Sequence, residues 1–546
     1  MRPARYLIPL LPNASDYTAL GRSWRGDLLA GLTVGIVALP LALAFGVSSG
    51  AGAEAGLVTA IVAGLVASVF GGSNVQVSGP TGAMVVVLAP IVAAHGVAAV
   101  AVVSFMAGLI VLALGLAKLG RLVGLIPWPV IEGFTLGIAV IIFLQQVPAA
   151  LDSHGDSTNA AIAALQSAVA SSWPQALWSI AAALIVAVVM LAAPRIHKQL
   201  PGSILAIILV TMLAQLVHAP LKTIGQLPPS LPRPGLPEMN LPMVESLLLP
   251  AVTVAGLAAI ESLLSARVAA SVSDTGPYNG DRELVGQGLA SIASGLFGGM
   301  PATGAIARTA VNIRSGGRTR LAAITHALVL LVVVYFATTL VSQIPLAALA
   351  GVLVVTATRM VSPATVRSVL RASRPDAVIF ILTALVTVSV DLIVAVGIGI
   401  AAASIVALRR LAKSSAVRRE ELPGPAEAGD ERIALFRLDG ELFFGAAERV
   451  IDEVSSVKKV SVVILRLSQL RDLDASGARA LAELVTDLER RGITVLIKGV
   501  QPGHLDLATN VGLLTALDRG DHLFEELGAA VAHARQHSRT GDVHAS

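Results

Sequence analysis

Long apolar blocks, separated by short clusters of glycine, proline and charge, run along the chain from about residue 27 to residue 409. Their lengths predict fourteen apolar helices. The first seven lie near 27–47, 54–71, 79–94, 97–117, 123–146, 176–193 and 203–218. The next three are expected near 246–269, near 284–298 (more amphipathic) and from about Gly304 as a short helix. The last four fall near 319–341, 345–360, 376–390 and 392–409. The stretch 219–243 is proline-rich and is expected to be extended. After 413–430, which carries Pro423-Gly424-Pro425, the pattern changes to that of a soluble α/β domain. Strands are predicted at Ile433–Leu438, Glu441–Phe444, Val460–Leu467 and Ile493–Ile497, and helices near 445–456, 475–491, 502–510 and 522–535. Asp474 reads as the N-cap of the longest of these. The expected organisation is an all-α polytopic membrane domain over 1–412, a linker 413–430, a small soluble α/β domain over 431–536 and a tail 537–546.

Composition supports this division. Hydrophobic residues make up 55% of the chain, charged residues only 14%, and the mean hydropathy is +0.79. Too few charges exist to solvate a soluble surface of this size, and more than a third of them fall in 432–535. The pI of 9.6 fits a membrane protein with basic cytoplasmic loops, and no nucleic-acid partner is expected. Arg22, Arg25, Lys118, Arg121, Arg282, Arg318, Arg320, Arg367, Arg371 and Arg374 fall on the side of the termini; the other side has Lys222 and Arg233 with acids such as Asp152 and Glu238. This bias puts both termini, and the soluble domain, in the cytoplasm. Cysteine is absent, so disulfides, thiolate metal sites and cysteine catalysis are excluded. No Walker-type loop, hydrolytic triad or cluster with metal-ligand spacing is evident, so neither an enzyme nor an ATP-driven pump is expected.

Two stretches about 220 residues apart repeat nearly the same wording, Gly79-Pro80-Thr81-Gly82-Ala83 and Pro301-Ala302-Thr303-Gly304-Ala305. A second pair, Pro127 with Gly133 and Pro345 with Gly351, each preceded by isoleucine (Ile126, Ile344), recurs at similar spacing. Seven predicted helices separate the copies in each pair, so the second copy is inverted. Two half-helices entering from opposite faces would meet near mid-membrane, their amino termini offering unpaired N–H groups and partial positive charge to an anion. Close-packing glycines are the plain alternative for one copy. A matched inverted pair favours a site.

Ionisable residues inside apolar helices each oppose insertion by ~2.5–3.5 kcal/mol at mid-membrane. Glu261 is the clearest, with Ser265 one turn on and on the same face. Arg308 lies beside the expected anion site and is read as anion-facing or as a partner of Glu261. Glu132 reads either as a gating or interface residue or as a plain structural one, and Asp391 reads as a capping or solvated turn residue.

These motifs resemble the sulfate permease family, relatives of the solute carrier 26 anion transporters. The resemblance is carried by Leu39-Pro40-x-Ala42-x-Ala44-Phe45, Ser78-Gly79-Pro80, Glu261-Ser262-Leu263-Leu264-Ser265 and Gly298-Gly299-Met300-Pro301-Ala302-Thr303-Gly304-Ala305 through Arg308. The carboxy-terminal domain resembles a STAS domain. The resemblance implies two inverted seven-helix repeats arranged as core and gate domains, usually dimeric. It implies that Phe45, Gly46, Thr81, Gly82, Ala305, Ile306, Ala307 and Arg308 line an anion site. It also implies that Glu261, with Ser265 and Gly304 beside it, couples transport to a proton or sodium ion; no other cofactor is expected. Ile306 stands where sodium-coupled bicarbonate relatives carry a hydroxyl, and Ala475 where anti-sigma-factor antagonists carry their phosphorylated serine.

The expected function is therefore secondary active, cation-coupled transport of an anion across the inner (plasma) membrane by alternating access. Sulfate ranks first, a dicarboxylate such as fumarate or succinate next, then bicarbonate. A membrane-anchored signalling protein with the STAS-like domain as output, taking a cytoplasmic partner, is an alternative of a different class. A nucleobase permease of the same architecture is a third, and it leaves the STAS-like domain unexplained.

Overall fold

The computed structural model describes residues 10–18, 20–121, 127–153, 157, 159–196, 200–389, 392–414, 416–442, 451, 453–454, 459–517 and 522–540. Ile126, Asp391 and most of the helix expected at 445–456 lie outside the described residues. The chain divides at Ile400 into two compact units.

The first unit is helical. In chain order it contains α1 (Leu20–Ser48), α2 (Ala53–Phe70, with a π-turn at Thr59–Ala63), β1 (Ser78–Gly79), α3 (Gly82–His95), α4 (Ala98–Leu116) and α5 (Trp128–Ala150). There follow α6 (Ala160–Ala170), α7 (Trp173–Ile196), α8 (Gly202–Leu216), α9 (Leu241–Val272) and α10 (Gly280–Leu296). The remainder is β2 (Thr303–Gly304), α11 (Ile306–Arg314), α12 (Arg320–Phe336), α13 (Thr338–Ser342), α14 (Leu346–Met360), α15 (Pro363–Ala372), α16 (Arg374–Ser389) and α17 (Leu392–Ser414), the last containing the division at Ile400. Each of the fourteen apolar segments read from the sequence holds a helix, and α6, α13 and α15 are short additions. Seven described helices are long and apolar enough to cross a bilayer. Large apolar side chains such as Leu184, Val188, Leu249 and Phe336 point outward, as a lipid-facing surface requires. The proline-rich stretch after α8 has no helix and touches the start of α14 through a Thr223–Pro345 bridge.

Small residues let the helices approach backbone to backbone. A Cβ on Gly108 of α4 would lie 2.8 Å from the Gly288 carbonyl oxygen of α10, and one on Gly288 would meet Gly108 in the same way. The second repeated motif has a helix-packing role. Pro127 and Pro345 are the N-caps of α5 and α14, with φ of −65° and −66°. Gly133 then abuts Phe380 of α16, and Gly351 abuts Ala183 of α7.

Polar clasps fasten the segment before α1. Arg282 holds Asp16 bidentately, at 3.0 and 2.6 Å, and Arg320 approaches the same carboxylate at 3.8 Å. The fully buried Asp27 accepts from the Arg318 and Thr319 amides and from the Ser23 and Thr319 hydroxyls, which fixes the start of α12.

The second unit is a five-stranded sheet in the order β3-β4-β5-β6-β7 with helices α18 (Ala475–Arg490), α19 (Pro502–Asn510) and α20 (Leu527–Thr540). Its strands are β3 (Ala416–Glu420), β4 (Ile433–Leu442), β5 (Val462–Leu473), β6 (Thr494–Lys498) and β7 (Leu523–Phe524). β3 is antiparallel to β4, and the other pairs are parallel. β3 falls inside the stretch read as linker. Its sequence Ala416-Val417-Arg418-Arg419-Glu420 is a charged edge strand, which lacks the apolar alternation of an interior one. Ile433–Leu438 and Glu441 belong to one strand, bent by register shifts near Asp439 and Gly440. Asp474 caps α18, accepting from the Gly477 amide at 2.6 Å.

Candidate functional site

The two repeated motifs meet. β1 and β2 pair antiparallel, Ser78 opposite Gly304 and Gly79 opposite Thr303, and the Ala305 amide extends the ladder by donating to the Val77 carbonyl at 2.9 Å. This bridge turns the chain into α3 on one side and α11 on the other. Neither half-helix has a side-chain N-cap bond: Thr81 and Ala305 both occupy the cap in extended conformation. The first amides of both helices are therefore available to a ligand. α3 begins at Gly82 and α11 at Ile306, so the second copy runs two residues further before its helix starts.

Glu261 of α9 closes the junction. Its Oε2 accepts from Thr81 Oγ1 at 2.8 Å and from Thr303 Oγ1 at 2.9 Å, and the two hydroxyl oxygens lie 3.1 Å apart. One carboxylate is thus held by one residue from each repeat. The next residue of α9 fixes the bridge itself, since the Gly304 amide donates to Ser262 Oγ at 3.0 Å. Glycine is required at 304, where a Cβ would overlap the Gln76 carboxamide.

Arg308 sits in the first turn of α11, where the helix dipole opposes a cation. It is 2% exposed, and its Nη2 donates to the Pro80 carbonyl at 2.6 Å. Its Nη1 has no hydrogen-bond partner. Gly79, with φ of +151°, leaves room for this guanidinium; a Cβ there would lie 2.7 Å from Nη1. Arg308 and Glu261 interact electrostatically across the junction.

A second buried layer supports the first. Glu283 of α10 accepts from the Gly72 amide and from the Gln76 and Gln287 carboxamides at 2.8, 3.0 and 2.9 Å. Gln76 also donates to the Ser262 carbonyl, and Gln287 to the Ser78 hydroxyl. The layer ties α9 and α10 to the strand that leads into α3.

Comparison with known proteins fixes the family. The sulfate permease family model matches residues 24–383, and the STAS domain model matches 425–530. The chain belongs to the sulfate permease family. It is 33% identical over 518 residues to YvdB of Bacillus subtilis (strain 168), whose name refers to sulfate transport, covering 92% of this chain and 96% of that one. It is 34% identical over 505 residues to the bicarbonate transporter BicA of Synechocystis, covering 88% of each. The solved structure of the murine Solute Carrier 26 family member A9 anion transporter, in the inward-facing state, shares its fold at a TM-score of 0.80 and 16% identity, covering 98% of this chain and 94% of that one. This permease is therefore a multi-span anion transporter with a carboxy-terminal STAS domain, and not an enzyme.

Of the residues expected at the site, Thr81, Gly82, Glu261, Gly304, Ala305 and Arg308 gather at the bridge. Phe45 reaches it from α1: a Cβ on Gly82 would lie 3.5 Å from the Phe45 ring and would overlap Ile142. Ile306 and Ala307 are exposed at the start of α11, Ile306 by 43%. Ser265 is buried, and its hydroxyl has no partner. Gly46 packs toward Gly52 and Gly56 at the α1–α2 crossing. Glu132 accepts from its neighbour Trp128 at 3.0 Å, within α5. Thr303, Gln76, Glu283 and Gln287 were not singled out from the sequence. Thr303 stands in the repeat at the position of Thr81, a signal that could have found it. A cavity of about 280 Å³ lies further along α3, lined by Val86, Pro90, Ile141, Gln145 and Thr253 among others. Glu261 and Arg308 are not part of its lining.

Proposed function

We propose that this permease couples uptake of a small oxyanion, sulfate first, to a cation taken up at Glu261. The observation that carries this reading is one carboxylate oxygen held by Thr81 and Thr303 where two half-helices meet. Two helix amino termini and the Arg308 charge favour an anion at this point, while Glu261 repels one. A proton or sodium ion on Glu261 removes that repulsion, so anion and cation bind cooperatively. The carboxylate and two hydroxyl oxygens supply hard ligands of the kind such a cation takes. Ile306 and Ala307 offer backbone amides, and Phe45 covers the apolar side.

Bicarbonate is a further reading, supported by the 34% identity to BicA; the apolar Ile306, where sodium-coupled bicarbonate relatives carry a hydroxyl, counts against it. Dicarboxylates stand between the two. The remaining elements of the reading are an inner-membrane homodimer with a cytoplasmic STAS domain, moving Glu261 and its junction relative to a gate. The lysine and arginine bias supports the orientation. Uptake into proteoliposomes of labelled sulfate, bicarbonate, fumarate and succinate, each with and without a proton or sodium gradient, tests the reading. Sulfate accumulation driven by one of the two gradients is expected. Equal, gradient-independent leakage of all four would sink it.

A further inference from the structure

The soluble unit holds a constellation that transport does not use. α20 carries His533 and His537 one turn apart, on the same helix face. His522, immediately before β7, is 1% exposed and joins them from the sheet. Its ring centroid lies 5.6 Å from that of His533 and 5.6 Å from that of His537, while His533 and His537 are 4.8 Å apart. One nitrogen from each ring can be chosen so that all three lie within 4.8 Å of one another. Ring packing alone is the plain explanation, since Phe524 also lies 5.3 Å from His533. It leaves the buried Nε2 of His533 without a hydrogen-bond partner, which an apolar side chain in the same place would avoid.

We propose that His522, His533 and His537 bind one divalent transition-metal ion of the zinc class. Neutral imidazoles suit zinc, copper, nickel and cobalt and are poor ligands for calcium or magnesium. In a tetrahedral site with Zn–N of about 2.0–2.1 Å the nitrogens stand roughly 3.3 Å apart. The three nitrogens now lie within 4.8 Å of one another, so binding an ion requires them to draw together by up to about 1.5 Å. With no cysteine in the chain, three nitrogens leave the fourth position to water or a carboxylate. The ion would fasten α20 to the β7 edge. His533 and His537 stand at the i, i+4 spacing of helical metal ligands, and only the third member, His522, is concealed, because it comes from a different element.

The test is titration of purified full-length protein with Zn²⁺, with Co²⁺ as a spectroscopic probe. One tightly held ion per chain is expected, with the intense visible absorption of tetrahedral cobalt. His533→Gln should weaken binding by more than about 100-fold, beyond the roughly 10–100-fold loss produced when a mere outer-shell partner is removed. His537→Gln, a half-buried position less prone to disturb folding, should do the same, and His504→Gln on α19 should change nothing. No stoichiometric ion, or binding that survives both His533→Gln and His537→Gln, overturns the proposal.

Discussion

Thr81 and Thr303, 222 residues apart, place their hydroxyl oxygens 3.1 Å from each other and both within 2.9 Å of a single Glu261 oxygen. Each threonine comes from one copy of the repeated motif. Any movement that separates the two half-helices therefore disturbs the carboxylate, and any change at the carboxylate is felt by both. If Glu261 takes up a cation as proposed, this contact ties its occupancy to the spacing of the two half-helices.

Removing either hydroxyl should weaken that link. A hydrogen bond to a charged group contributes about 1.5–3 kcal/mol, so Thr81→Ala or Thr303→Val should shift the half-saturating cation concentration about tenfold or more. The double substitution should fall short of the sum, because both hydroxyls serve one oxygen. Measuring anion uptake against cation concentration checks this; unchanged cation dependence in both single variants contradicts it.

Arg308→Ala should weaken anion binding, and Arg308→Lys should retain part of it. The guanidinium supplies charge at the junction and also holds the Pro80 carbonyl, so lysine restores the charge without the full hydrogen-bond geometry. Calorimetry with sulfate in detergent reads this out. Equal affinity in wild type and Arg308→Ala would remove Arg308 from the site.

How much of this was legible in the sequence differs by element. The fourteen helices and the Gly-Pro-Thr-Gly and Ala-Thr-Gly words could be read because apolar length and repeated breakers are local signals. Glu261 and Arg308 could be read because a charge inside an apolar block demands a reason. The supporting layer of Gln76, Glu283 and Gln287 could not, since it joins α10 to the strand before α3 across about 200 residues. Glu283 and Gln287 lie one turn apart on a helix whose amphipathic pattern also fits a solvated face. β3 was hidden by its charges, and the two-residue β7 by its length.

Asp16 gives a pH signature outside the membrane-spanning helices. Burial pushes its pKa up, but the bidentate Arg282 contact, the Asn13 amide and the charge of Arg320 outweigh this and hold it below the ordinary aspartate value. A depressed pKa means stability that is fully present above the unfolded pKa near ~4 and lost as pH falls through the folded one. Asp16→Asn should therefore lower the melting temperature at neutral pH, with the gap to wild type narrowing below about pH 4. A gap of constant size across that range would contradict the assignment.

Removing the soluble unit should lower expression or turnover without changing the order of preferred anions, because the candidate site lies wholly in the helical unit. The cut matters. Deleting 431–546 leaves β3 without β4, its partner in the sheet, and an unpaired edge invites aggregation; deleting from 415 onward removes the whole sheet. A truncated protein with a different anion preference would overturn this separation of roles.

The central claim is that Glu261 takes up the coupling cation, and its most direct test is transport by Glu261→Gln in proteoliposomes. Glutamine keeps the volume and can still meet Thr81 and Thr303, but it carries no charge to be offset. The variant is expected to exchange labelled sulfate for unlabelled sulfate across the membrane. It should fail to concentrate sulfate when a proton or sodium gradient is imposed. If Glu261→Gln accumulates substrate against its gradient as well as wild type does, the coupling site lies elsewhere.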